Sequence, residues 1–239
     1  MSRGRWLRFF PITKVRKEAV ARRSLRETSQ SAANRKHHRT RARVRAAHRA
    51  PSVGNTQPWD FVVVQDQRRL AAFAAHVAGK RREFAESLPP ERAAVFDPIK
   101  IDGVVESGTG VVVTYDHARG GTHVLGRASI PEAGVFSVAL AIENLWLAAT
   151  AEGLGVGWVS FYDRDYLADF VGLPDGVVPI AWLCVGPVDR LQTVPDLERF
   201  GWRSGRSLAA TVHRDVFDAR PADGAPEPLP MAGRDTLDS

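Results

Sequence analysis

The 239-residue chain has one cysteine, two methionines and three tyrosines. The lone Cys184 excludes an internal disulfide and points to a reducing compartment, the cytoplasm. It lies inside the apolar run 180–185 and reads as a core thiol rather than a nucleophile. No window approaches 18 uncharged apolar residues. The longest candidate, 133–151, contains Glu143 and Asn144, so no membrane span is expected. Arg8 and Pro11 interrupt the apolar stretch nearest the N-terminus, and no signal peptide is expected. The seven histidines have no metal-ligand spacing with the cysteine or with one another, so no metal site is expected. There is no Gly-x-Ser-x-Gly and no Walker-type loop, which removes the hydrolase and P-loop readings.

Acidic residues are scarce at one end only. Positions 1–50 hold 16 Lys/Arg against two Glu, a net of +14, while the remainder holds 17 basic and 25 acidic residues, a net of −8. The overall charge of +6 is thus the property of an N-terminal arm, taken here as residues 1–45. That arm has no aromatic after Phe10, and the body that follows is acidic. A solvated basic arm therefore fits better than a nucleic-acid-binding one. Residues 26–49 contain no Leu, Ile, Phe or Met, with Val44 as the one large aliphatic, so a helix there has no apolar stripe to bury.

What is present beyond the arm is periodic. Strands are expected at 60–65, 109–115, 156–162 and 178–186, and helices at 67–77, 90–96 and 133–152. The helix over 133–152 is apolar on nearly every face and must cross the centre of a fold or a subunit interface. Gly153 is placed to end it. Strands and helices do not alternate regularly, so the expected class is α+β in one domain, residues 46–218, followed by a Pro-rich tail at 219–239. The glycines at 153, 155 and 157 resemble a dinucleotide fingerprint, but a helix precedes them and a strand follows, the reverse of what that fingerprint needs.

Two segments suggest a ligand. The loop 50–59, APSVGNTQPW, is shaped by two prolines and a glycine. It offers hydroxyl, amide and backbone N–H donors with one large aromatic. The segment Gly157-Trp158-Val159-Ser160 places an apolar platform and a hydroxyl on one face of a strand. The arginine pairs Arg22/Arg23 and Arg203/Arg206 can bind a phosphate bidentately.

These segments, with HVLGRASIPE (123–132), AIENLWLAATAEGLGVGWVS (141–160) and LPDGVVPIAWLCVG (173–186), resemble the BluB-type 5,6-dimethylbenzimidazole synthases of the flavin nitroreductase-like fold. The similarity covers roughly residues 46–217. The resemblance implies a central, mostly antiparallel sheet flanked by helices in an intertwined homodimer. It implies oxygen-dependent fragmentation of reduced FMN, with FMN as substrate and O2 as co-substrate, to the lower ligand of cobalamin. A separate reductase then supplies the reduced FMN.

By position, the resemblance makes Arg22, Arg23 and Arg26 ligands of the FMN phosphate and ribityl chain. It places Ser52 in the FMN-holding loop, Ile101 at the ring edge, Ser160 beside the flavin as the hydroxyl needed for fragmentation, and Arg206 on the phosphate. Where the family has an aspartate as its base, this chain has Ser24, and where it has an arginine near the C-terminus, this chain has Gly205. Serine is no useful base at neutral pH without a partner. Two other readings stay open: an NAD(P)H-dependent FMN nitroreductase, and an FMN-binding homologue impaired in catalysis.

Overall fold

The computed structural model describes residues 40, 42–189 and 192–217. The expected arm up to residue 39, with Arg22, Arg23, Ser24 and Arg26, and the tail from 218 lie outside them.

Four strands form one sheet: β1 (Phe61–Val64), β2 (Gly110–Asp116), β3 (Leu154–Val159) and β4 (Val177–Pro187). Their order is β1-β2-β4-β3, and every pairing is antiparallel. The helices are α1 (42–48), α2 (Gln67–Glu86), α3 (Pro90–Phe96), α4 (Val104–Ser107), α5 (Ala133–Ala151), α6 (Arg164–Val171) and α7 (Asp196–Arg199). The α+β class read from the sequence is the observed one.

Strands β2 and β4 are near-continuous apolar runs because both faces of the sheet are covered. Alternation sorts their side chains. Val111, Val113, Ala181, Leu183 and Val185 face α5 and meet its Val138, Ala141, Ile142, Leu145 and Ala149. Val112, Trp182 and Cys184 face the other way, against Leu70, Phe73 and Val77 of α2, Val104 of α4 and Leu167 of α6. Phe73 stacks on Trp182 with ring centroids 3.8 Å apart and planes 18° apart. Both side chains are fully buried, so truncating either removes one of the largest contributions to folding, about 3–5 kcal/mol.

Three expectations need correction. Helix α2 runs nine residues past Val77, through Gly79, to Glu86. Its last turns are held by Phe84 against Phe96 and Phe161, and by Arg81, which donates to Asp97 O and Ile99 O at 2.8 and 3.2 Å.

Residues 42–48 are helical although Val44 is their one large aliphatic. The buried stripe is Thr40, Arg43, Ala47 and Ala50, small or ion-paired side chains at helical spacing. Arg43 Nη2 meets Glu152 Oε2 at 2.7 Å, and Asn144 Nδ2 donates to Ala46 O at 3.3 Å, so α1 is fastened to α5 by polar contacts.

Strand β3 spans 154–159, not 156–162. Gly155 and Gly157 lie within the ladder, opposite Gly186 and Cys184, and Ser160 falls just beyond the strand. Gly153, at φ +74°, ends α5 as expected.

Helix α5 is long and apolar enough to cross a membrane by length and composition, with Glu143 and Asn144 inside it. Here its inner face lies on the sheet. Its other face leaves Phe136 57% exposed, with Leu140 and Leu147 beside it also exposed.

Candidate functional site

A cleft of about 160 Å3 opens at the C-terminal end of β3. Its walls are Trp158 and Phe161 from the strand end, Ile99, Lys100 and Ile101 from the loop before α4, and Asp196 and Leu197 from α7. Ser160 stands between the two aromatic residues.

Local geometry explains how they meet. Trp158 pairs with Leu183 and shares the α5-facing side of the sheet, but it is 38% exposed. Beyond Val159 the pairing stops, and Phe161 turns to the opposite layer, against Phe84 and Phe96. The cleft thus has an aromatic side chain from each layer of the fold.

On its far side Ile99 is buried, and Lys100 Nζ is held 2.7 Å from Glu106 Oε1. Lysine therefore enters the cleft already charge-paired. Asp196 is 8% exposed, and Arg199 Nη2 lies 2.9 Å from its Oδ1. A slot with apolar aromatic walls and a few convergent polar groups suits a flat heteroaromatic ligand.

The sequence-derived site residues divide. Ile101 and Ser160, far apart in the chain, line this one cleft. The expectation that Trp158 and Ser160 share one face of a strand changes in detail: Ser160 is past the strand, yet both reach the cleft.

Ser52 is not part of its lining. It begins the 3-10 turn Val53–Asn55, where its Oγ accepts from Gln57 N at 2.9 Å and its carbonyl from Asn55 N at 3.0 Å. Val53 N donates to Ser137 Oγ at 3.0 Å, which pins the loop to α5. Gly54, Asn55 and Gln57 all have positive φ, +54°, +54° and +45°. Asn tolerates that region and Gln does not, so the Ser52 hydrogen bond holds a strained backbone.

Trp59 is a core residue, 2% exposed, rather than a platform for ligand. Its Nε1 donates to His48 Nδ1 at 3.2 Å. Arg206 is exposed, donates to Ala210 O at 2.7 Å and is not in the cleft lining.

A larger cavity, about 290 Å3, lies behind the loop 50–59 and is lined by Val44, His48, Thr56, Gln57, Trp59, Asp60, Phe61 and Arg119. Its cation is already engaged. Arg119 meets Asp60 Oδ2 at 2.6 Å and donates to Trp59 O at 3.0 Å. The hydrogen bond to the Asp60 carboxylate raises the Arg119 pKa above its ordinary value. Arg119 thus ties the Trp59 carbonyl to the Asp60 carboxylate at the end of the loop. Among the described residues no three His, Cys, Asp or Glu side chains converge to hold a metal.

Asp196, Lys100 and Phe161 were not singled out by sequence reasoning. Nothing in the spacing of residues 100, 161 and 196 connects them; only the folding of α7 across the end of β3 does.

An antiparallel sheet covered on both faces, with an aromatic-walled slot at the end of one strand, defines an α+β protein. Residues 21–187 match the nitroreductase family, and the chain belongs to it. Over 157 residues it is 39% identical to a 5,6-dimethylbenzimidazole synthase of Rhodospirillum rubrum, covering 66% of this chain and 74% of that protein. A 5,6-dimethylbenzimidazole synthase of Rhodobacter capsulatus is 34% identical over 154 residues, covering 64% and 74%.

Among solved structures, iodotyrosine deiodinase bound to FMN and 3-iodo-L-tyrosine superposes with a TM-score of 0.61 at 19% identity, over 87% of this chain and 95% of that one. The NADPH:FMN oxidoreductase of Vibrio harveyi complexed with NAD+ gives 0.57 at 15% identity, over 90% and 77%. These two show the fold.

Proposed function

We propose that this protein is a 5,6-dimethylbenzimidazole synthase that uses reduced FMN and O2. The observation that carries the reading is the meeting of Ile101 and Ser160 in one aromatic-walled cleft. These are the two described positions that the resemblance assigned to the ring. The 39% identity to the Rhodospirillum rubrum 5,6-dimethylbenzimidazole synthase supports the same activity.

The residues present fit such a ligand. Trp158 and Phe161 offer faces for a planar tricycle, and Ile99, Ile101 and Leu197 keep water from its edge. When bound, reduced FMN supplies the dimethylbenzene portion and, with oxygen, the oxidising chemistry. Ser160 supplies a hydroxyl that can donate to a reacting oxygen or relay a proton. Ser52 and the 3-10 turn fix the loop 50–59, and Arg22, Arg23, Arg26 and Arg206 remain the proposed phosphate ligands. Ser24 occupies the position of the family base.

The same proposal includes a homodimer, a separate flavin reductase as electron source, and a cytoplasmic location. The exposed apolar face of α5 supports the homodimer.

The test is to give purified protein reduced FMN in air and search for 5,6-dimethylbenzimidazole by mass spectrometry. The product is expected. Simple reoxidation to intact FMN overturns the synthase reading, and direct bleaching of bound FMN by NADH favours a nitroreductase instead.

A further inference from the structure

The α7 wall of the cleft stands apart from the two apolar clusters that pack on the sheet. Among the described residues, none from 196 to 202 joins either cluster. A helix of four residues has little stability of its own, so α7 needs an outside anchor. Trp202 supplies it. Gly201, at φ +75°, turns the chain out of α7. Its N–H donates to Glu198 O at 3.0 Å, and Trp202 N donates to Leu197 O at 2.8 Å. The Trp202 backbone is thus bonded directly to a residue that lines the slot.

The indole is held in turn. Its ring centroid lies 5.8 Å from that of Phe96 and 6.3 Å from that of Phe84, the same two rings that support Phe161 of the cleft. Arg92, on α3, covers the indole face with its Cζ 3.8 Å from the ring centroid. Its Nη1 and Nη2 both donate to Trp202 O at 3.3 Å. One guanidinium therefore grips Trp202 by its ring and by its carbonyl. Contacts run unbroken from Arg92 through Trp202 to Leu197.

We infer that Arg92, acting through Trp202, is a positioning residue that sets where the α7 wall stands and so how tightly a flat ring is held. For its ligand this rests on the FMN reading above. The fold contains a matching clamp elsewhere. Arg69, on α2, has its Cζ 4.6 Å from the Phe170 centroid and donates to Phe170 O of α6. Neither Arg69 nor Phe170 lines the cleft, so this second clamp serves as the control.

The test compares the wild type, Arg92→Ala, Arg92→Lys and Arg69→Ala by two measurements. The first is amide hydrogen exchange without ligand. Arg92→Ala is expected to speed exchange at Trp202 and Arg203, whose amides share Leu197 O, by roughly tenfold. Arg69→Ala is expected to leave both unchanged. The second is the rate of FMN dissociation, read as recovery of flavin fluorescence. Release is expected to be roughly three- to tenfold faster in Arg92→Ala. It should be intermediate in Arg92→Lys, which keeps the cation and loses the fork, and unchanged in Arg69→Ala. Unaltered exchange in Arg92→Ala overturns the inference. So does flavin release that is indifferent to Arg92, or that both alanine variants speed alike, as a merely structural clamp would. A wild type that binds no flavin overturns the FMN reading, and exchange at Trp202 and Arg203 then decides alone whether Arg92 holds the wall.

Discussion

Ser160 stands one residue past β3, exposed, with no described hydrogen bond that the fold depends on. Its replacement is therefore a clean probe of chemistry. Ser160→Ala is expected to change unfolding free energy by no more than about 0.5 kcal/mol. It should lower the rate of 5,6-dimethylbenzimidazole formation by roughly a hundredfold or more, and leave FMN affinity nearly intact. A single-turnover assay beside a flavin titration reads both.

Cys184 is the opposite case. Burial pushes its thiol up to about 12, so the native protein holds it protonated and out of reach at neutral pH. Labelling with a thiol reagent at pH 8 should be slow until urea unfolds the chain. The unfolded thiol ionises near pH 9, so between there and about 12 the unfolded state binds fewer protons and stability falls as pH rises. A Cys184→Ala variant should flatten that alkaline loss. The sequence alone disclosed the burial of Cys184, because an apolar run surrounds it. It did not disclose Asp196, which looks like any acidic residue after a proline until α7 brings it to the cleft that Phe161 also lines.

Elements were legible wherever burial imposed a period. The strands β2 and β4 and the helix α5 carry enough Val, Ile and Leu to betray themselves. Helix α1 did not, because it buries Ala47 and a paired Arg43, residue types that look solvated in a one-dimensional pattern. The end of α2 was hidden by Gly79, which breaks a propensity argument but not a helix whose later turns pack on α3 and Phe161.

Two glycines test this view with opposite signs. A Cβ at Gly79 meets nothing within 4 Å, so Gly79→Ala should stabilise by about 0.5–1 kcal/mol through helix propensity. A Cβ at Gly186 lies 2.6 Å from Ser107 O and 2.7 Å from Ser107 Cα, where β4 passes under α4. Backbone cannot swing aside as a side chain can, so Gly186→Ala should destabilise by roughly 1–3 kcal/mol. Urea midpoints at unchanged slope distinguish the two.

At the scale of the molecule, the apolar surface is unevenly distributed. Phe136, Leu140 and Leu147 line the outer side of α5, while Leu125 and Ile130, in the loop before it, are exposed as well, Leu125 to 85%. Large exposed apolar side chains this numerous on one segment are what the proposed homodimer would cover. Trp158 is half-open at the cleft mouth, so the wall that completes the site need not come from the same chain. A second copy fits both facts, because one two-fold contact along α5 covers the apolar side chains of both protomers. Light scattering should give about twice the 26.2 kDa chain mass. Replacing Phe136 and Leu140 together by aspartate, on a face that makes no core contact, should return the mass to that of one chain while far-ultraviolet circular dichroism stays unchanged. FMN affinity should fall by at least roughly tenfold in that monomer, about 1.4 kcal/mol. A wild-type monomer that binds FMN as tightly as the assembled protein is expected to would place the whole site within one chain and leave the α5 face without a role in binding.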